Sequence, residues 1–443
     1  MDKHSTGGRR KSVVEEVRAD DSIQGEALNQ IASLGESDRG NFFIIDARNW
    51  GTVCDLGLYE AVAYLVLAQG TGANNRSTNW STDSLRRYAG MRWERAKAAI
   101  EHLIDSGLVL YGPKHSQTKP RYELASPAEA AGTRYRTNLA AISAEDRALL
   151  ETFEDGKQRY NPTRLAAFGR LEAAGLVKKT ADERFFRVGP PLQTDDSDKA
   201  ELIWLPNTLI TGTNEGEDPP IKRMRQTGDV WALRLLVDLY REQNLRDDGG
   251  IKPASLHQAF EQRKVGEYGF YTIWAFKPSK CWVCRQGALK VHYDRKPSEP
   301  DGPLPFWSSH ELLLGAGLLS YVPHVWDNDP SKGVAEIVYP HGGLYVNQYP
   351  GAEQAEVDIG LAAQIAALRA AHRERVEAAE KDGFTLLGPV STSIPNACMV
   401  GVARLRYRPH TSRTGAWASR LGESSVDWVN KFQSIAPIRN PPV

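Results

Sequence analysis

Apolar positions recur at helical spacing in several stretches of the chain, and the stretches follow a repeated order. Residues 42–45 are a short apolar run, and 56–69 read as an apolar helix. A Gly/Asn loop covers 70–75. Ser81-Thr82-Asp83-Ser84 then offers N-cap residues to a short helix through Tyr88, and Ala89-Gly90 breaks it. A further helix over about 92–106 turns Ala96, Ala99, Ile100 and Leu103 inward, at the spacing of one helix face. Gly107 suits its C-terminal cap, where a left-handed residue without a Cβ is favoured. Residues 108–110 and 121–124 read as two strands around a basic loop at 112–120.

The same order returns, shortened, at 143–187: a helix over 143–153, another over 163–175, then short strands at 176–179 and 184–187. The space between its two helices leaves little room for a middle helix. A third version opens at Ile203-Trp204-Leu205, which parallels Phe43-Ile44-Ile45. It continues with a helix over 229–242, a short helix opening at 252–256, a helix over 308–316 and strands at 317–322 and 334–339. An insertion at 266–305 holds one strand, 271–276, and a basic stretch. Residues 352–382 form one continuous helix, with Val357, Leu361, Ile365, Leu368, His372, Val376 and Ala379 on a single stripe suited to self-association. Beyond it, residues 400–408 alternate as a strand that places Arg404, Arg406 and Arg408 on one face, and 424–432 read as a short amphipathic helix.

These elements predict an α+β chain, mainly helical, with two or three tandem units, a long helix and a small C-terminal β/α segment. The division is a disordered tail at 1–40, a first unit at 41–126, a partial second at 127–192, an acidic linker at 193–220, a third unit at 221–344, the helix at 352–382, and a basic segment at 383–443.

Charge sharpens this division. The 443 residues carry 55 Lys and Arg against 55 Asp and Glu, a balance that argues against a nucleic-acid partner until its distribution is read. Residues 76–122 hold nine basic against four acidic side chains, and 383–443 hold seven against two. Residues 192–220 hold seven acidic side chains and one lysine. Such segregation permits an anionic partner despite the neutral sum.

The segment from Ser81 to Val109 resembles the winged helix-turn-helix superfamily, in the form found in MarR- and GntR-type bacterial regulators and in plasmid replication initiators. The matching residues are Leu85, Ala89, Gly90, Met91, Ala96, Ile100, Leu103 and Gly107-Leu108-Val109. Where the superfamily usually places a small hydroxyl residue at the start of its recognition helix, this chain has Arg92. The resemblance implies a helix at 92–106 that enters the major groove by its N-terminal residues, and a wing at 111–122 on the backbone. Arg92, Trp93, Arg95 and Lys97 would then point into the groove, the arginines able to pair guanine and Lys97 meeting phosphates, and Ser81, Thr82, Arg87, Lys114, His115, Lys119 and Arg121 would be further DNA contacts, mainly to phosphates. Arg404, Arg406, Arg408 and Arg413 are candidates for further phosphate contacts or for pairing with the acidic linker.

Other chemistry is thinly represented. No phosphate-binding Gly loop, dinucleotide motif, His-Glu-x-x-His or Gly-x-Ser-x-Gly occurs. Cys281 and Cys284 lack a second Cys-x-x-Cys to complete a zinc site, so no metal or cofactor is expected. No apolar run is long enough for a transmembrane helix, and four cysteines suit a reducing cytoplasm. The resulting expectation is a non-catalytic, sequence-specific binder of double-stranded DNA at the nucleoid, an initiator or a regulator, with a homodimer through 352–382. The competing reading is an adaptor that uses winged helices for protein contacts.

Overall fold

The computed structural model describes residues 41–72, 74–153, 157–158, 164–179, 185–188, 201–213, 218–284, 289–293, 306–327, 336–343 and 349–435. The tail expected at 1–40 and the acid-rich residues 191–200 lie outside the described residues.

The chain is α+β. It opens with β1 (Phe42–Asp46), α1 (Ala47–Leu56) and α2 (Leu58–Gln69). Asp46 caps α1 by accepting from the Arg48 N–H at 2.9 Å. Helix α2 is apolar around nearly its whole circumference and is buried from Leu58 to Ala68, apart from Tyr59 and Glu60. Next come β2 (Ser77–Thr78), α3 (Thr82–Ala89), α4 (Trp93–Asp105), β3 (Val109–Tyr111) and β4 (Tyr122–Leu124), with β2, β4 and β3 forming a small antiparallel sheet. A second group follows: α5 (Pro127–Ala141), α6 (Ala144–Glu151), β5 (Lys157–Gln158), α7 (Leu165–Ala173), β6 (Val177–Lys179) and β7 (Phe185–Arg187). Its sheet order β5-β7-β6 repeats that of β2-β4-β3. It has its own core of Leu150, Phe153, Phe168, Leu171, Leu176 and Phe185, in which Phe168 and Phe185 stack at 4.7 Å. The helix expected over 143–153 is α6, and residues 159–163 between β5 and α7 lie outside the described residues.

Residues 193–220, expected as a linker, contain β8 (Leu202–Pro206) and α8 (Thr208–Thr211). Strand β8 pairs antiparallel with β1, setting Phe43 opposite Leu205, Ile44 opposite Trp204 and Ile45 opposite Ile203. The two similar tripeptides are thus each other's partners. Behind them, α9 (Pro220–Thr227) and α10 (Val230–Arg241) place Ile221, Met224, Leu235, Leu236 and Leu239 in the same core as Val62, Leu65, Leu85 and Leu103. The first and third sequence segments therefore share one interior.

The chain then passes through β9 (Gln243–Asn244) and β10 (Gly250–Ile251) to a long hairpin of β11 (Leu256–Tyr268) and β12 (Tyr271–Cys284). The short helix expected at 252–256 is a turn leading into β11, because Leu256 is buried opposite Cys284. Residues 266–305, expected as an insertion, supply much of this hairpin. After α11 (Lys290–Tyr293) and α12 (Phe306–Gly315), strands β13 (Leu319–Asp327), β14 (Glu336–Pro340), β15 (Leu386–Ser391) and β16 (Ala397–Leu405) complete an antiparallel sheet of order β14-β13-β16-β11-β12-β15.

The helix expected to run unbroken over 352–382 is two helices, α13 (Pro350–Ala370) and α14 (Arg373–Lys381). Ala371 is extended, and the His372 N–H donates to the Val265 carbonyl of β11 at 3.1 Å. Gly266 lies against this break, where an added Cβ would stand 2.9 Å from the Ala370 carbonyl oxygen. The expected stripe is also divided. Val376 and Ala379 are buried, whereas Val357, Leu361, Ile365 and Leu368 face outward. The buried side of α13 is instead Ala352, Ala355, Ile359, Ala363, Ala366, Ala367 and Ala370, six alanines and one isoleucine.

The arginine strand is corrected in the same way. Strand β16 ends at Leu405, so Arg406 and Arg408 lie beyond it. Arg404 and Arg408 are each only 1% exposed and cannot reach a phosphate. Arg404 Nη1 donates to Glu356 Oε2 at 2.6 Å, and Arg408 Nη2 donates to Glu353 Oε1 at 3.2 Å. Their partners are thus neither DNA nor the acidic linker. The Trp417 ring lies 5.2 Å from the Arg404 guanidinium and 4.7 Å from that of Arg408. Trp417 belongs to α15 (Ser412–Gln433), a helix much longer than the one expected at 424–432. Arg413 is exposed in its first turn.

His310 on α12 is 1% exposed, ringed by Trp282, Phe306, Trp307 and Tyr321, and 2.7 Å from the Tyr321 hydroxyl. Burial pushes its pKa down to about 4. Because the folded value is depressed, acidification below about 6.5 protonates the unfolded chain and not the folded one, and stability falls until about pH 4. Burial lowers His324 and His341 in the same sense. Asp248, pushed up to about 6 by burial, acts in the opposite sense. His310→Gln isolates one contribution: between pH 6.5 and 4 the variant is expected to lose roughly 3 kcal/mol less than the native chain, as read from urea midpoints. Parallel losses in the two proteins would refute this assignment.

Candidate nucleic-acid interface

The site is built on α3, the turn at Gly90, α4, and the β3–β4 hairpin. The Ser81 N–H donates to Ser84 Oγ at 3.3 Å, part of a capping box that starts α3. Leu85 and Ala89 are fully buried, so α3 is pinned by its inner face. Gly90 has φ +63°, the left-handed conformation that reverses the chain within one residue. Met91 is buried beyond it, and Arg92, at φ −70° and ψ 150°, occupies the N-cap of α4 with its side chain exposed. Ala96, Ala99, Ile100 and Leu103 are all buried, as the apolar spacing requires.

That anchoring fixes what faces outward. At about 100° per residue, the line opposite the buried stripe is Glu94, Ala98 and Glu101, and all three are exposed. Arg95 lies on one flank and Trp93 and Lys97 on the other. The Arg95 guanidinium rests over the Tyr59 ring at 4.6 Å, and Trp93, 46% exposed, has the Arg86 guanidinium 5.8 Å from its ring. Lys97 is 3.7 Å from Glu101 across one helical turn. Glu94 makes no ion pair among the described residues. Glu94 is not among the contacts expected from the sequence, yet a carboxylate here can accept from the exocyclic amine of cytosine.

Arg87 is exposed on α3, but Thr82 is buried and Ser81 is engaged in the capping box. Thr82 is therefore removed from the phosphate contacts. In the hairpin, Lys114, Lys119 and Arg121 are exposed. His115 is instead the loop's fastener: its Nδ1 accepts from the Arg121 N–H at 3.1 Å, and its ring sits 4.5 Å from Tyr111 and 5.1 Å from Tyr122. Arg76, counted among the basic residues, is held by Glu123 at 3.3 Å and Glu129 at 2.8 Å. Against the upward push of burial, hydrogen bonds from Ser126 and Arg76 keep the Glu129 carboxyl below its ordinary value.

A second element completes the site from a remote part of the sequence. Arg225 on α9 donates from Nε to the Ala89 carbonyl at 2.6 Å, satisfying a group at the end of α3. Lys222 lies over the turn, its Cε 3.1 Å from where a Cβ on Gly90 would stand, with its ammonium 2.6 Å from Asp218. These two cations were assigned by sequence to a different unit. The signal that marks them is the basic run Lys222, Arg223 and Arg225 directly after Pro219-Pro220.

Cys281 and Cys284 both lie on β12, the first exposed beside a register shift and the second half-buried opposite Leu256. Among the described residues, no group of three or more His, Cys, Asp or Glu side chains is placed to hold a metal ion, and no helix is long and apolar enough to cross a membrane. The chain matches no protein-family model, no curated protein and no solved structure.

Proposed function

We propose that the chain is a sequence-specific double-stranded DNA-binding protein whose reading unit, residues 41–126, is a winged helix-turn-helix. In this reading the protein is a replication initiator or a transcriptional regulator. The observation that carries the reading is the face at the start of α4. Arg92, Trp93, Glu94, Arg95 and Lys97 are all exposed around a helix anchored by four buried apolar residues, while Lys114, Lys119 and Arg121 are exposed on the adjoining hairpin. A helix so mounted can enter the major groove while the hairpin follows the backbone. Arginine pairs with both acceptors of guanine, glutamate takes the cytosine amine, and lysines meet phosphates. The second group, with matching sheet order and its own core, supports a tandem arrangement, and tandem readers suit an initiator bound to repeated sites.

Recovery of bound fragments from a genomic library tests this directly, followed by salt titration on the best fragment. The logarithm of affinity is expected to fall with the logarithm of salt with a slope of roughly −4 or steeper, at about 0.9 per phosphate contact. Clustered repeats among the fragments indicate an initiator, and scattered promoter half-sites a regulator. Absence of binding to any fragment at low salt overturns the proposal and favours the adaptor reading.

A further inference from the structure

We infer that the outer face of α13 is the seat of a second copy of this chain, docked antiparallel about a two-fold axis between Leu361 and Ile365. This goes beyond DNA reading and does not depend on it. Val357, Leu361, Ile365 and Leu368 are 39%, 58%, 40% and 52% exposed, at steps of four, four and three residues along one helix. Four large aliphatic side chains in a continuous outward line are unusual for a solvated helix. They are not spare core residues, because the opposite, alanine-rich face already packs into the interior.

The charges beside this line select the occupant and its direction. Asp358 and Arg369 are both exposed, and among the described residues neither makes an ion pair. They are eleven residues apart, about three turns and 20° at 100° per residue, so they flank the apolar line on the same side. In a parallel pair of helices, each flank meets the partner's opposite flank. In an antiparallel pair, each flank meets its own counterpart. Antiparallel docking therefore brings Asp358 against Arg369 of the second copy, and by symmetry repeats that pair at the other end. The same superposition sets Leu361 opposite Ile365 and Val357 near Leu368. A surface whose charges and apolar groups match themselves under a two-fold rotation fits a copy of itself.

Sedimentation equilibrium of the full chain, without DNA, tests the inference. The native chain of 49.1 kDa is expected to reach twice that mass with rising concentration. Leu361→Glu combined with Leu368→Glu is expected to weaken the dimer at least 100-fold, and unchanged circular dichroism would show that these exposed sites leave the fold intact. Asp358→Arg and Arg369→Asp are each expected to weaken it about tenfold, and their combination to restore it. A native chain that stays monomeric at the highest soluble concentration overturns the inference. So does a dimer indifferent to the leucine variants. A combined charge swap no tighter than either single variant overturns the antiparallel arrangement.

Discussion

Replacing Arg92 and Arg95 together by alanine is expected to abolish sequence-specific binding while leaving the fold intact. A good arginine contact to a base discriminates by about 1–3 kcal/mol, so losing two weakens the specific complex by roughly 30-fold to 10⁴-fold. Binding to random duplex should fall far less, because Arg87, Lys97, Lys114, Lys119 and Arg121 remain exposed. The structural penalty is small. Neither side chain belongs to the buried stripe of α4, and the one contact removed, Arg95 over Tyr59, is a surface interaction of about 0.5–1 kcal/mol. The measurement is a paired titration with the best genomic fragment and a scrambled duplex. Equal loss on both would mean that the two arginines touch only phosphates. No loss on either would remove α4 from the interface.

The second large effect concerns stability. Glu356 is expected to be among the most sensitive positions in the chain, with Glu356→Ala destabilising the fold by about 3–5 kcal/mol in urea, because it strands the Arg404 charge in a dry interior. Glu356 and Arg404 are each 1% exposed. Arg404 Nη2 also lies 3.2 Å from His324 Nε2, whose ring donates from Nδ1 to the Val322 carbonyl at 2.8 Å. Burial alone would raise the Glu356 carboxyl, but Arg404 and His324 more than offset it and hold it below its ordinary value. A depressed carboxylate stabilises the fold above its unfolded pKa, and that contribution is lost as pH falls through the folded value. The double variant Glu356→Met with Arg404→Met is expected to be more stable than Glu356→Ala, since it removes both charges. If the double variant were the weaker, the hydrogen bonds of the cluster would outweigh its desolvation.

The sequence made some of this legible and hid the rest for physical reasons. Helix α4 was expected over about 92–106 and spans Trp93–Asp105. Its signals are local: an apolar residue every third or fourth position, a glycine at each bounding turn, and positive φ at Gly90 and Gly107. The charged residues of the loop were also legible, but not their division of labour. His115 and Arg76 have the right charge type and are occupied by neighbours that local pattern does not reveal. Side-chain size does not reveal burial in α13, where the large aliphatic residues face outward and the alanines inward. Where a helix lies close over a sheet, alanine goes inside and leucine is left outside. Arg404 and Arg408 are not legible as buried because their partners, Glu356 and Glu353, lie about 50 residues upstream. Pairing of that kind is a property of the assembled core. So is the marriage of β1 to β8, which no window of the sequence contains.

That pairing bears on how the protein comes to exist. Ile44 meets Trp204 across the strand pair, so β1 leaves the ribosome 160 residues ahead of the strand that completes it. At roughly 5–20 residues per second, β1 waits about 8–32 seconds during synthesis with that edge bare. A fragment cut at residue 126 would be left permanently in that state. Strand β1, made early, is thus finished late, because its partner strand and the α9 and α10 residues that share its interior lie in the central third of the chain.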